Sequence, residues 1–354
     1  MLLAQTVACI GELDREAMAR AQTRMDSLLK PPGSLGRLEE IAVKLAGITG
    51  KPFPVIKKKS VIVMAGDHGV VAEGVSAAPQ EITYQILPRF VDGTGGIGVL
   101  ARHAGARVVV VDIGVARPVD RPGVIVRKIR AGTGNIARGP AMTREEAAQA
   151  VSVGIELSQA EIQDGVDLIA TGDMGIGNTT PSSAILCVIA GIPVDEAVGR
   201  GTMVNDEVLE RKRRVVAQAM SVNQPDPTDP LDVLAKVGGL EIAGLAGVIL
   251  GAAAQRVPVL LDGFITGAAA LIAAGLCPRA REFMLASHLS EERAHRHMLT
   301  ALGLKPLLDF NLRLGEGTGA ALAMPVVEAS VKVLKEMATF GEAEVSDMDR
   351  EKLL

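Results

Sequence analysis

Four short runs rich in Val and Ile, each ending on an aspartate, constrain the fold of this chain more than any other feature. Residues 61–65 lead into Gly66 and Asp67, 108–111 into Asp112, 166–171 into Gly172 and Asp173, and 257–261 into Asp262 and Gly263. Continuous apolar runs separated by helical stretches indicate strands buried on both faces of a parallel sheet. The expected fold class is therefore α/β, a parallel sheet covered by helices. Ligands of such sheets bind beyond the carboxyl ends of the strands, so these four aspartates are candidates to line one site. The alternative is structural, since Asp and Gly also turn chains and cap helices.

Residues 12–50 read as two helices outside any sheet. One covers 13–29 and is stopped by Lys30, Pro31, Pro32 and Gly33; the other covers 35–48, with Ser34 as N-cap. The segment 223–230, with Pro225, Pro227 and Pro230, reads as a rigid connection between two long helices. After Lys305 the pattern returns to helix, notably over 320–337. A length of 354 residues exceeds what one core usually supports, roughly 250 to 300. The expected division is a small helical domain built from both chain ends, 1–50 and 320–354, and a large α/β domain, 51–319, carrying the substrate site.

Composition removes several classes of partner. With 37 Lys and Arg against 41 Asp and Glu, the net charge is −4, and a nucleic-acid binder needs a basic surplus to displace phosphate counterions. Aromatic residues make up only 2%, so base stacking is equally unsupported. The most apolar pieces, 242–254 and 263–277, are shorter than the roughly 18 to 20 residues of a spanning helix. They read as buried helices, and no membrane partner is expected. The opening residues lack a basic n-region and meet Glu12 and Asp14 early, which argues against a secretory signal. Cys9, Cys187 and Cys277 are odd in number and far apart, which fits neither a disulfide framework nor a CxxC metal site. A soluble, cytoplasmic protein is the expectation.

Three glycine-rich segments carry the chemistry. Residues 171–181 follow a strand and open a helix, with Thr180 expected as N-cap and Pro181 as the first helical residue. Free amides there would bind a phosphate, and Gly175 and Gly177 would let it approach the backbone. No Gly-Lys-Ser/Thr follows, so this is not a nucleotide-triphosphate loop. Residues 93–98 match GxGxxG, with Asp112 at about the spacing of a dinucleotide fingerprint, but the preceding stretch 82–92 contains Pro88 and does not read as a buried strand. Helix capping and close packing are the competing explanation there. Glu316 stands between Gly315 and Gly317 just before an Ala-rich helix, where a partly desolvated carboxyl would be a general base and a solvated one a cap. No HExxH occurs, His295 and His297 point apart on a helix, and no metal site is expected. His68, following Asp67 at a strand end, reads first as a hydrogen-bonded structural histidine, with a ligand contact as the alternative. The cluster at 210–214 reads as a solvated helix face from which one cation can reach a phosphate.

Several motifs in one order resemble a known family. They are Lys30-Pro-Pro-Gly-Ser-Leu-Gly-Arg-Leu-Glu39, Ala65-Gly-Asp-His-Gly-Val70 with Glu73-Gly-Val75, the loop 175–180, Asn223-Gln-Pro225, Leu260-Leu-Asp-Gly263 and Arg313-Leu-Gly-Glu-Gly-Thr-Gly-Ala-Ala-Leu-Ala-Met-Pro325. Over about residues 14 to 335 the chain is similar to the nicotinate-nucleotide:dimethylbenzimidazole phosphoribosyltransferase family.

The resemblance implies transfer of the 5-phosphoribosyl group from nicotinate mononucleotide to 5,6-dimethylbenzimidazole, giving α-ribazole 5′-phosphate for the lower ligand of cobalamin, and nicotinate. The family's base falls on Glu316, flanked by Gly315 and Gly317. Its phosphate loop falls on Gly175, Ile176, Gly177, Asn178, Thr179 and Thr180, with Asp173 just ahead. A family lysine aligns with Lys212, and the benzimidazole pocket with 76–86, notably Ser76, Ala78, Gln85 and Ile86. Family members are homodimers with a Rossmann-like sheet and a small helical domain made from both chain ends, and no metal or redox cofactor is implied. Two positions depart from the family pattern. Asp173 replaces a usual Glu and is one methylene shorter toward the ribose; Ala78 replaces a larger residue, implying a roomier wall and a broader choice of base. Two other classes stay open at this point: an oxidoreductase using 93–98, and a non-catalytic module that stores a benzimidazole or nucleotide.

Overall fold

The apolar run at 61–65 becomes part of β1 (Lys59–Gly66) in the computed structural model of the chain, which describes residues 1–201 and 204–346. All eight residues of β1 are buried, as a strand covered on both faces requires. It belongs to a seven-stranded sheet with β2 (Ala106–Gly114), β3 (Val124–Val126), β4 (Leu168–Met174), β5 (Val259–Leu261), β6 (Met284–His288) and β7 (Pro306–Leu308). The order is β3-β2-β1-β4-β5-β6-β7, and every pairing is parallel. This is the α/β class expected from the runs. Strand order reverses between β1 and β4, whose register sets Val63 beside Gly172 and Met64 beside Asp173. A crevice opens beyond the strand ends at such a reversal.

The sequence runs miss β3, β6 and β7. Two of these have three residues, and β6 is Met-Leu-Ala-Ser-His, without a β-branched residue to mark it. The expected helix after Lys305 begins only at Thr318, because 306–308 pair with β6. The two most apolar segments form helices Leu240–Ala254 and Phe264–Leu276, and among the described residues no helix is long and apolar enough to cross a membrane. Helix Leu240–Ala254 approaches helix Arg144–Gln163 almost backbone to backbone. A methyl group at Gly154 would strike the Gly244 carbonyl, and one at Gly247 the Val151 carbonyl.

The chain divides into two compact units, Met1–Gly11 with Lys58–Ala323, and Glu12–Lys57 with the chain from Met324 onward. The division expected at 50 and 320 differs mainly in the first eleven residues. Helix Leu2–Cys9, which the sequence does not suggest, packs on helices Leu240–Ala254 and Arg144–Gln163 and so joins the larger unit. In the smaller unit, helix Arg15–Ser27 is capped by Asp14, whose carboxylate accepts from the Ala17 amide at 2.9 Å. Helix Arg37–Thr49 starts after Gly36, not Ser34: Gly36 has φ +51, and no side chain caps that end. Met25 and Leu28 are fully buried in this unit's core with Ala42, Ala46 and Leu334. Such side chains contribute about 1.5 to 3 kcal/mol each, more than the exposed Arg24–Glu342 pair at about 0 to 1. The Lys30–Glu39 pair, 2.9 Å apart and buried, closes the Pro-Pro-Gly turn.

Candidate active site

Glu316 is built into the crevice by its own backbone. It has φ +64, a conformation that costs a non-glycine residue about 1 to 2 kcal/mol, between Gly315 at +80 and Gly317 at +93. The strain is held because the loop lies directly on the sheet. A methyl group at Gly172 of β4 would collide with the Glu316 carbonyl, and one at Gly317 would meet Val61 of β1 at 2.6 Å. The following helix, Thr318–Glu336, is fixed by Asp262 at the end of β5, which accepts from the Gly317 amide at 3.1 Å and the Ala320 amide at 3.0 Å. The side chain of Glu316 is 9% exposed and accepts from the Ile97 amide at 3.3 Å. Burial raises its pKa above the usual carboxylate value, and the Ile97 bond opposes that rise.

Two further acids surround it. Asp173 is buried and lies well above its usual pKa, chiefly through desolvation, with Asp262 and Glu241 adding to the rise and a 2.9 Å bond from Asn178 Nδ2 opposing it. Asp262 is pushed up to about 7 by burial, against the three amides that favour its charged form. Glu316 repels both.

The glycine loop forms a second corner. Helix Thr179–Ala190 begins at Thr179, with Asn178 as its N-cap, so Thr180 lies inside the first turn and is not the cap expected from Pro181. Helical geometry at Asn178 displaces the boundary, because its side chain turns back to Asp173. Three loop amides are engaged by the protein itself: Ile176 by Thr83 Oγ1, Asn178 by the Gly175 carbonyl and Thr180 by the Gly177 carbonyl. The glycines serve packing. A methyl group at Gly175 would strike the Gly66 carbonyl and come within 3.1 Å of His68 Nε2, while Gly177, at φ +90, faces Val71. His68 is held beneath the loop by Glu241, 2.9 Å away.

The cation at this corner is Lys212, fully buried although its neighbours in the basic cluster bind surface acids. Its Nζ donates to Thr179 Oγ1 at 3.0 Å and to the Gly199 carbonyl at 2.9 Å. Burial lowers it to about 8, with Glu292 opposing.

A cavity of about 100 Å³ joins the corners, lined by Asp173, Asn178, Thr179 and Gly201 on one side and by Ser290, Arg313, Leu314 and Gly315 on the other. It shares Gly201, Glu292 and Arg313 with a cavity of about 500 Å³ that carries Arg200, Arg213 and Arg293, within the range of small-molecule sites. Glu316 itself is not among the lining residues of either cavity; Gly315 beside it is. Ser290, Glu292 and Gly201 escape a sequence reading because they stand in loops with no recognisable spacing. Arg313 is visible there only as the start of the glutamate motif.

The expected aromatic pocket lies apart from these cavities. Ser76 turns back on Ala78, its Oγ accepting from the Ala78 amide at 3.1 Å, and Gln85 is exposed and Ile86 half-buried on helix Glu81–Val91. None of the four lines the cavity at Asp173. That helix nevertheless touches the loop through Thr83. The GxGxxG segment is preceded by this helix, not by a strand, and its glycines are filled from within: a methyl group at Gly98 would meet Gly93 Cα at 2.5 Å. It is not a dinucleotide turn.

The chain is similar over nearly its whole length to proteins of one name. A chain from Geobacter sulfurreducens named nicotinate-nucleotide–dimethylbenzimidazole phosphoribosyltransferase is 56% identical over 349 residues, covering 98% of this chain and 99% of the relative. A protein of the same name from Desulforamulus reducens is 55% identical over 347 residues, with coverage of 98% and 99%. The crystal structure of CobT from Thermus thermophilus matches with a TM-score of 0.91 at 48% identity, covering 94% of this chain and 100% of that one. A family model described as phosphoribosyltransferase matches residues 10–345, and with relatives this similar over their whole length the chain belongs to that phosphoribosyltransferase family.

Proposed function

We propose that this chain transfers the 5-phosphoribosyl group from nicotinate mononucleotide to 5,6-dimethylbenzimidazole, a step in assembling the lower ligand of cobalamin. The observation that carries the mechanism is the desolvated Glu316 carboxyl seated on β4 at the reversal of strand order. A general base in this reaction has one task. The leaving pyridinium of the nucleotide departs with the electron pair of the broken C1′–N bond and needs no proton, whereas the benzimidazole must lose its N–H proton as its other nitrogen bonds C1′. Glu316 takes that proton. Attack on the face opposite the leaving group converts β to α configuration.

The phosphate is held at the Thr179 corner by the Thr179 hydroxyl and Lys212, with Arg313 supplying further positive charge across the cavity. The loop amides already bonded within the protein make these side chains, more than the glycine backbone, the anchoring groups. Asp173, whose pKa burial raises, can hydrogen-bond a ribose hydroxyl from its place beside Gly315. Ser76, Ala78, Gln85 and Ile86 bound the acceptor in this reading, which rests on the family resemblance. Fixing both substrates in line supplies several kcal/mol, up to about 7 to 11 in well-oriented cases. A homodimer, tested by analytical ultracentrifugation, and a cytoplasmic site of action also rest on the resemblance.

The deciding experiment mixes the protein with both substrates and follows nicotinate and α-ribazole 5′-phosphate by chromatography. Both products are expected, in equal amounts and only when both substrates are present. Binding of either compound without nicotinate release would make this a storage module.

A further inference from the structure

We infer that helix Gly96–His103 is the element that aims Glu316, its Ile97 amide holding Oε2 while the bare Cα of Gly96 keeps open the space in which the carboxyl sits. The inference rests on Glu316 being the general base. It gives a purpose to the one glycine-rich segment that the reaction otherwise leaves unused.

The geometry is specific. A methyl group on Gly96 would meet Leu314 Cδ2 at 2.8 Å and Glu316 Oε2 at 3.0 Å, so a side chain there must push the carboxyl or the exposed Leu314 tip aside. Ile97 is fully buried and anchors the turn, and Gly98 lets the helix close onto Gly93. The donor is thereby fixed 3.3 Å from one carboxyl oxygen. With Oε2 tethered, Oε1 receives the acceptor's proton while the new C1′–N bond forms and the bond to nicotinate breaks.

The burial of Glu316 explains why a donor is needed. Desolvation disfavours its anion, and the side chains around it bring no compensating cation: Asp173 at the end of β4 and Asp262 at the end of β5 are acids themselves, and His288, 3.9 Å from Asp262, is pushed down to about 4 by burial and adds no positive charge near neutrality. The Ile97 N–H, at the positive end of its helix, is the counterweight that keeps Glu316 able to ionise.

The test compares wild type with Gly96→Ala in two readouts. The first is the pH dependence of kcat at saturating substrates. Activity requires ionised Glu316, so loss of the amide bond should move the acid limb to higher pH by about one unit, the equivalent of a lost charge-assisted hydrogen bond. The KM for nicotinate mononucleotide should stay within about twofold, because the Thr179 corner is untouched. Val99→Ala, an exposed change on the same helix, should leave both unaltered. The second readout is a ¹³C titration of the Glu316 carboxyl, assigned by its disappearance in Glu316→Gln. It reports the same upward shift whatever substrates the enzyme turns over, so it separates failure of this inference from failure of the proposed reaction. Gly96→Ala/Leu314→Ala removes the other crowded neighbour and serves if the single variant does not fold. An unshifted carboxyl and an unshifted limb in a folded Gly96 variant would overturn the inference.

Discussion

Glu316 sits in a glycine-bearing loop and Thr179 opens the helix that follows another, both at the mouth of the sheet, yet the chain treats them differently. Around Thr179 most polar groups are engaged before any ligand arrives: Lys212 bonds the hydroxyl and the Gly199 carbonyl, and the amides of Ile176, Asn178 and Thr180 have partners, while the buried Thr180 hydroxyl has none. Around Glu316 the chain withholds partners. One amide at 3.3 Å, two neighbouring acids and a left-handed backbone leave the carboxyl poorly solvated. A binding corner gains from a network largely in place beforehand; a base gains from being uncomfortable as an anion.

The sharpest way to break that contrast is Glu316→Gln. The amide can still accept from Ile97 but cannot take a proton, so kcat should fall by roughly 10² to 10⁴ with the KM for the nucleotide little changed. Steady-state kinetics at saturating benzimidazole reads it. Wild-type turnover in this variant would remove Glu316 from the mechanism and leave the two corners functionally alike.

Lys212→Met should act on the other parameter. Losing a charge-assisted bond to phosphate raises the KM for nicotinate mononucleotide by roughly 10- to 100-fold, with kcat changed less. The pH dependence carries the same information. Because burial lowers Lys212 to about 8, the wild type loses its cation above that pH, and kcat/KM for the nucleotide should decline there. The alkaline decline should be missing from Lys212→Met. If it persists, another group holds the phosphate. Thr179→Val, which deprives Lys212 of its 3.0 Å partner, should give a smaller rise in KM.

How much of this is legible in the sequence follows from what each feature depends on. The parallel sheet is readable because β1, β2 and β4 are unbroken apolar runs, whereas β6 and β7 become strands only by pairing with neighbours already in place. Glu316 is readable because glycines on both sides mark a backbone that ordinary residues avoid. The use of Gly175 and Gly177 is not. The pattern predicts room for a ligand, and the space is filled by Gly66, His68 and Val71, which arrive from β1 and the turn after it, about a hundred residues earlier. Tertiary contact likewise decides that Lys212 alone among its basic neighbours turns inward.

Asp262 links the two corners to stability and supplies the smallest effect. Its carboxyl caps the helix that follows Glu316, so Asp262→Asn, which keeps one acceptor oxygen, should cost about 1 to 2 kcal/mol in urea denaturation at about pH 5. The sign of the pH dependence follows from its raised pKa. Between the ordinary value of 3.8 and about 7 the folded state retains a proton that the unfolded state has lost, so Asp262 contributes most at low pH and its contribution fades as pH rises to about 7. The stability gap between wild type and Asp262→Asn should therefore narrow over that interval and stay level above it. A gap that widens instead would mean that the amides of Gly317, Gly319 and Ala320 outweigh burial and hold Asp262 as an anion. Asp262 would then place a full negative charge beside Glu316, and the base corner would owe its raised pKa to a neighbour's charge as well as to desolvation.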